Sequence, residues 1–349
     1  MRRSPKLPEC PRHPGSRVWR DGTYETSRGS RQRYRCVPQG GRPHRFVPAL
    51  ESTPYGFSYT TREIAAALVE VGRGASYRAA ARHVRERAQT VESADGNTVA
   101  GWVESFAQAV FEPHAVRRWP QVLALDSASF SARTTPFHVF AAFGAPAGRS
   151  QEIIALEAFP STGGRRAQRL WERFLGSRED APRRVVCAAD TELLRAADAV
   201  WGGATAVSLS PLDLARQLQG LLLEEGVGSD ERFFDAAARA FDGSAEWHAF
   251  LELPAPRRLR GLEDWLGEHG ERVEWQLEHD RDAAATAEGL EEKLSLLTRW
   301  LAPRRGNLRN RDRTNRLLML AQLELNGRAD ERAYARAIEE SLERERREA

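Results

Sequence analysis

The chain has 349 residues, 41% hydrophobic and 29% charged, which is enough apolar material for two or three domains and excludes a disordered chain. No run of about 18 apolar residues occurs, so no membrane span is expected, and no apolar stretch follows the basic N-terminus as a secretory signal would require. Three cysteines are too few for a disulfide framework, which fits a reducing cytoplasm, and the net charge of +3 is unevenly spread: residues 1–49 hold 12 Lys and Arg against 3 Asp and Glu. A basic front end on a mildly acidic body points to an anionic partner.

Residues 1–49 are rich in Pro, Gly and Arg and have almost no apolar periodicity. Residues 50–117 read as helical. Thr61–Val71 carries Ile64, Leu68 and Val71 at core spacing, and Gly72 and Gly74 break it. Ser76 opens a second helix to about Arg87, with Ala79, Ala80 and Val84 on one face. Asn97 or Thr98 caps a third, bearing Val99, Trp102, Val103 and Phe106. The period then changes. Val122–Asp126, Phe137–Phe143 and Ile153–Phe159 read as strands, Arg165–Leu175 as a helix, and Arg184–Asp190 as a strand that, like the first, ends in Asp. Thr191–Trp201 is a helix and Ala204–Leu209 a fifth strand. From Pro211 to about Glu278 the chain reads helical. A long helix covers Ala283–Leu301 and stops at Pro303, and Arg313–Leu325 and Asp330–Glu345 are terminal helices around Asn326-Gly327. No internal repeat is present.

Cys10-Pro-Arg-His13 is a C-x2-H pair, and Cys36 with His44 can close a four-ligand set. Thiolate and imidazole are the ligands of structural zinc, and a segment without a core gains folding energy from such a metal, so 1–49 is expected to be a zinc-ribbon-like module. The second pair is loosely spaced, and the bland alternative is two unpaired cysteines and two surface histidines in a tail. Cys187, inside an apolar run, reads as core.

Thr61–Phe111 has the length and small-residue packing of a helix-turn-helix module, with Arg73, Arg78, Arg82, Arg85 and Arg87 as candidates for DNA backbone contact. The rival is a three-helix linker with a solvated basic face.

Asp126 and Asp190 are the most informative residues, since strand ends are where ligands and chemistry sit in α/β sheets. Two such carboxylates side by side repel unless they share cations, and oxygen-only ligation suits Mg2+ or Mn2+. The element order is that of a ribonuclease H-like sheet, whose first and fourth strands are central neighbours. A third acid is expected from the late helix, where Glu291 flanks the face marked by Leu290, Leu294 and Leu297. Glu288 is its rival. The competing reading of Asp190 is a helix cap, and of the whole set a structural cluster held by arginines.

Taken in order, Cys10-Pro-Arg-His13 with Arg31-Gln-Arg-Tyr-Arg-Cys36, Ser76-Tyr-Arg-Ala-Ala, Val122-Leu-Ala-Leu-Asp126, Val185-Val-Cys-Ala-Ala-Asp190 and Leu290-Glu291 resemble a bacterial insertion-sequence transposase with an Asp-Asp-Glu triad, closest to the mutator-like superfamily. The resemblance implies a ribonuclease H-like catalytic domain at 118–302, split by an all-helical insertion at about 211–280. Before it come the module at 1–49 and a DNA-binding domain at 50–117, and 303–349 form C-terminal helices. It further implies Mg2+ or Mn2+ held by Asp126, Asp190 and Glu291, cutting and joining of double-stranded DNA, assembly as a homodimer or higher oligomer on DNA, and a place at the bacterial nucleoid. One departure stands out: where such proteins often carry a C-x2-H pair after the fifth strand, this chain has Ser210-Pro-Leu-Asp213. That motivates a second expectation, a DNA-binding regulator or domesticated transposase that no longer cuts. A ribonuclease H-like nuclease of other purpose is a third.

Overall fold

The computed structural model describes residues 7–10, 12–26, 29–38, 41–46, 59–88, 94–132, 135–188, 190–228, 232–279, 283–304, 308 and 310–348. The boundary expected at 49/50 and the end of the helical insertion near 280 lie outside them. The protein is mixed α/β and falls into two compact units, one of residues 1–113 with 329–349 and one of residues 114–328. No helix among the described residues is long and apolar enough to cross a membrane.

In the first unit, β1 (Val18–Thr26), β2 (Gly29–Cys36) and β3 (His44–Phe46) form an antiparallel three-stranded sheet that apolar periodicity did not signal. Among the described residues its core is Cys10, Val18, Cys36 and Phe46, with Tyr34 against it. So few apolar positions leave no pattern to read.

Helix α1 (Thr61–Gly72) opens on a capping box of Thr60 and Glu63 and is buried at Ile64, Leu68 and Val71 as expected, and also at Ala65, Ala66, Ala67 and Val69. It runs through Gly72 and gives way at Gly74, whose φ of +109° suits glycine. Helix α2 (Tyr77–Ala88) starts where Ser76 Oγ accepts the Ala79 N–H, and it buries Ala80, Ala81 and Val84, so Ala81 takes the place expected of Ala79. Helix α3 (Gly96–Phe111) is capped by Asp95 rather than Asn97 or Thr98. Thr98 instead closes the box by bonding back to the Asp95 backbone.

The second unit is built on a five-stranded sheet in the order β6-β5-β4-β7-β8, from β4 (Val122–Ala132), β5 (Thr135–Gly144), β6 (Glu152–Pro160), β7 (Arg184–Cys187) and β8 (Ala206–Leu209). β4, β5 and β6 pair antiparallel, and β4–β7–β8 parallel. Asp126 therefore does not end its strand. β4 runs on to Ala132 because the apolar face of β5 pairs with it throughout, although Ser127 and Ser129 look like loop residues. The parallel pairing with β7 does stop at Leu125–Cys187, one residue before Asp126.

Alternation sorts the sheet faces. Leu123, Leu125, Val185 and Cys187 join a core with α4 (Gly164–Leu175) and α5 (Thr191–Trp201), where Phe140 stacks on Trp171 at 3.6 Å. Val186 packs on Ala287 of α10 (Ala283–Leu301), on the other face. That helix lies close to the sheet because Gly289 has no side chain: a Cβ there would stand 2.8 Å from the Phe143 ring. Helices α6 (Pro211–Glu224), α7 (Arg232–Arg239), α8 (Ser244–Glu252) and α9 (Arg260–His279) fill the stretch between β8 and α10 and extend the first core through Leu214, Leu218, Trp247 and Trp265.

The last two helices, expected together in 303–349, part company. Helix α11 (Arg311–Leu325) covers the edge strand β6, satisfying its unpaired backbone with Asn315 to Ala158, Gln322 and Asn326 to Ile153, and Arg311 to Ala158. Helix α12 (Glu331–Glu348) packs on α1 and α3, where Thr61 bonds Glu339 and Arg87 pairs with Glu331 at 2.6 Å. Helix pattern alone does not say which partner a terminal helix joins.

Candidate functional site

Two clusters of metal-type ligands stand out. In the first unit, pairing Cys36 with His44 across β2 and β3 places both beside the Cys10–His13 turn. One ligand atom from each of Cys10, His13, Cys36 and His44 lies within 4.8 Å of the others. The two sulfurs are 3.1 Å apart, Cys10 Sγ lies 3.2 Å from His44 Nδ1 and 3.7 Å from His13 Nδ1, and His13 Nδ1 lies 3.3 Å from Cys36 Sγ. A tetrahedral zinc with bonds near 2.0–2.3 Å has ligand–ligand edges of about 3.6 Å, so these four fit one ion. Both thiols are buried, and the two imidazoles lie against them. Burial, with Cys10 alongside, pushes the Cys36 thiol up, and burial with the charges of Arg12 and His13 pushes His44 down. The cluster can hold a metal such as zinc. Cys187 is buried inside β7, where burial pushes its thiol up to about 12.

The second cluster lies on the α10 side of the sheet. Asp126, Asp213 and Glu291 line one small cavity with Arg216. The Asp126 carboxylate accepts the Ser127 N–H at 2.6 Å. Burial, compounded by the charges of Asp213 and Glu291, pushes its carboxyl up to about 7, against smaller opposing effects of the Ser127 bond and Arg216. Asp213, at the first turn of α6 behind the Ser210 cap, is raised by burial and by Glu291 while Arg216 opposes. Arg216, one turn further along α6, is ion-paired with Glu291 and lies 3.9 Å from Asp213. Glu288 is exposed and does not line the cavity.

Asp190 does not line it either. Its carboxylate caps α5 by accepting the Leu193 N–H at 2.8 Å. Among the described residues the carboxylates do not gather three ligand atoms as closely as the cysteines and histidines do. Reading the sequence missed Asp213 and Arg216. Their signal was an acid three residues after the Ser210 helix cap, followed by a base at i+3 on the same helix face.

Of the arginines proposed for DNA contact, Arg73 pairs with Glu70, Arg85 reaches the Ala94 carbonyl and Arg87 is held by Glu331, whereas Arg78 and Arg82 project into solvent from α2. No protein-family model matches the sequence, and no curated protein matches it either.

Proposed function

We propose that the protein is a DNA transposase with a ribonuclease H-like core, cutting and joining double-stranded DNA with divalent metal at an Asp-Asp-Glu site. The observation that carries this reading is one juxtaposition: Asp126, where β4 and β7 diverge at the centre of a β6-β5-β4-β7-β8 sheet, shares a cavity with Glu291 from the helix after a helical block. The donor set is oxygen-only, and crowding of buried acids is the condition that a hard divalent cation relieves. Asp126 and Glu291 would hold Mg2+ or Mn2+ with Asp213 of the same cavity, and Asp190 would join them only on leaving its α5 cap.

Such ions, when bound, supply an activated water or 3′-hydroxyl and neutralise charge on the oxygens of an in-line displacement at phosphorus. The chain's own groups do the rest. Asp126, its carboxyl pushed up to about 7 by burial, stays poised to release a proton, Asp213 is raised in the same direction by burial, and Arg216 neutralises the acids until a cation arrives. Arg78 and Arg82 grip DNA phosphates from a helix-turn-helix-like module, and the zinc-bearing module stabilises the front end. Work on nucleoid DNA as a dimer or higher oligomer, in the cytoplasm, follows from that reading.

The test uses DNA carrying the sequences that flank the reading frame. The full chain nicks and joins it in Mg2+ or Mn2+. Asp126→Asn and Glu291→Gln abolish this without loss of fold, while Glu288→Gln does not. Cleavage that survives Asp126→Asn and Asp190→Asn together removes the enzyme. A second reading, a DNA-binding regulator or domesticated transposase without cleavage, is favoured by the Arg216–Glu291 pair and by the use of Asp190 as a cap.

A further inference from the structure

The register of the small N-terminal sheet sorts its residues into two faces. Val18, Cys36 and His44 stand in one cross-strand row, on the side of the buried core and the cysteine–histidine cluster. The neighbouring row is Trp19, Arg35 and Arg45, and it faces the other way. Trp19 is 41% exposed, in a protein that buries Trp102, Trp119, Trp171 and Trp247 almost completely but also leaves Trp275 exposed, stacked on His279. The Arg17 guanidinium lies 5.4 Å from the Trp19 ring centre, and Arg33 lies on the same face, two residues before Arg35. Among the described residues Asp21 offsets this charge, pairing with Arg45 at 2.7 Å and Arg33 at 3.7 Å. Four guanidiniums against one carboxylate around a bare aromatic ring make a surface complementary to a polyanion that also offers flat apolar faces.

We infer that this outer face of the sheet binds single-stranded DNA, with Trp19 stacking on an unpaired base and Arg35 and Arg45 holding the adjoining phosphates. The inference rests on the proposed role in DNA transposition and assigns it a strand-specific surface. Charge argues for nucleic acid, and the ring argues for an unpaired strand. In a duplex the π-faces of the bases are covered by their neighbours, so a duplex lying on this sheet would meet the arginines and leave the indole in water. An unpaired base has a free face, and stacking on an aromatic ring is tolerant of sequence. The guanidinium already beside the indole adds a cation–π partner to the same stack. The three strands set the scale: Trp19 and Arg45 stand two strand spacings apart, about 9.5 Å, so one base and its flanking phosphates span the row.

The experiment uses the zinc-loaded full chain and fluorescein-labelled oligothymidylate, with a labelled hairpin duplex and oligouridylate in parallel, read by anisotropy. Trp19→Ala is expected to weaken oligothymidylate binding by about tenfold, the scale of one lost base–aromatic stack, and Trp19→Phe to restore most of it. Duplex affinity should change by less than about twofold, because its phosphate contacts are untouched. Arg35→Ala with Arg45→Ala should flatten the salt dependence of oligothymidylate binding. Zinc content and melting temperature, unchanged in Trp19→Ala, exclude loss of the module as the cause. Equal losses on duplex and single strand, or no loss on either, overturn the inference, and so does a preference for oligouridylate over oligothymidylate. Absence of duplex binding by the wild-type chain would count against the transposase reading instead, and leaves the single-strand measurement to stand or fall by itself.

Discussion

The cysteine–histidine cluster and the acidic cavity each gather four polar residues, but they differ in what balances them. Cys10, His13, Cys36 and His44 gather around one another, and among the described residues the core at them is Cys10, Val18, Cys36 and Phe46. Asp126, Asp213 and Glu291 carry their own cation, Arg216, and sit on a sheet with an extensive core on its other face. The first cluster can hold a metal such as zinc, and in so small a module that metal would act as a folding element. The second is an arrangement that stands without metal and is strained by its own charge. The difference is a guanidinium supplied in place, which balances the acids within the fold.

The largest expected effect tests the first half of that contrast. Stripping zinc with a strong chelator removes a binding free energy of about 10–16 kcal/mol, far more than so small a core supplies. Amide hydrogens of residues 18–46 should then exchange freely, while those of β4, β5 and β7 keep their protection. Retained protection in 18–46 after chelation would show that the module folds by packing alone.

The acidic cavity should reveal its strain through pH. The Asp126 carboxyl rises to about 7 in the folded protein, against about 3.9 in an unfolded chain. The folded state therefore holds this proton more tightly. Its contribution favours folding below pH 4 or so and is lost as pH rises through about 7. Three pKa units correspond to an upper bound of about 4 kcal/mol. Asp213, shifted the same way, adds to the trend. Asp126→Asn should flatten melting temperature between about pH 4 and pH 7 and raise it at pH 8. A wild-type curve already flat over that range would contradict the burial described here.

A smaller effect separates position from charge. Gly289→Val has to push α10 away from Phe143, at about 1–3 kcal/mol for overpacking, and carries Glu291 away from Asp126. The variant should stay folded by circular dichroism, yet lose the thermal stabilisation by Mn2+ expected of the wild type. Smallest is Arg216→Ala. A largely exposed ion pair contributes about 1 kcal/mol or less, so stability without metal falls slightly. Stabilisation by Mn2+ should grow, because the ion no longer displaces a guanidinium. An unchanged metal response would mean that Arg216 is no counter-ion to this cavity.

Much of the candidate chemistry was legible in the residues. The C-x2-H pair and the later Cys36 and His44 announced a ligand set because those residue types are scarce in this chain and carry few other roles together. Asp126 announced itself by ending an apolar run, although the strand continues past it. The choice of Glu291 over Glu288 followed from helical phase, and the cavity contains the former. What escaped was set by long-range partners. Asp213 entered only as part of a departure from a motif, and neither Arg216 nor Trp19 was singled out.

The division has a physical reason. Local sequence determined the helices, the apolar strands and the types of ligand, because period, caps and residue chemistry act over a few positions. Only the tertiary structure decided that α12 joins α1 and α3 while α11 seals β6, and that Asp190 is spent on a cap while Asp213 is turned into the cavity. It also put Trp19 in a row with Arg35 and Arg45. Each of those outcomes depends on strand register or helix docking between residues far apart in the chain, where small differences in packing select among partners that look equivalent in one dimension.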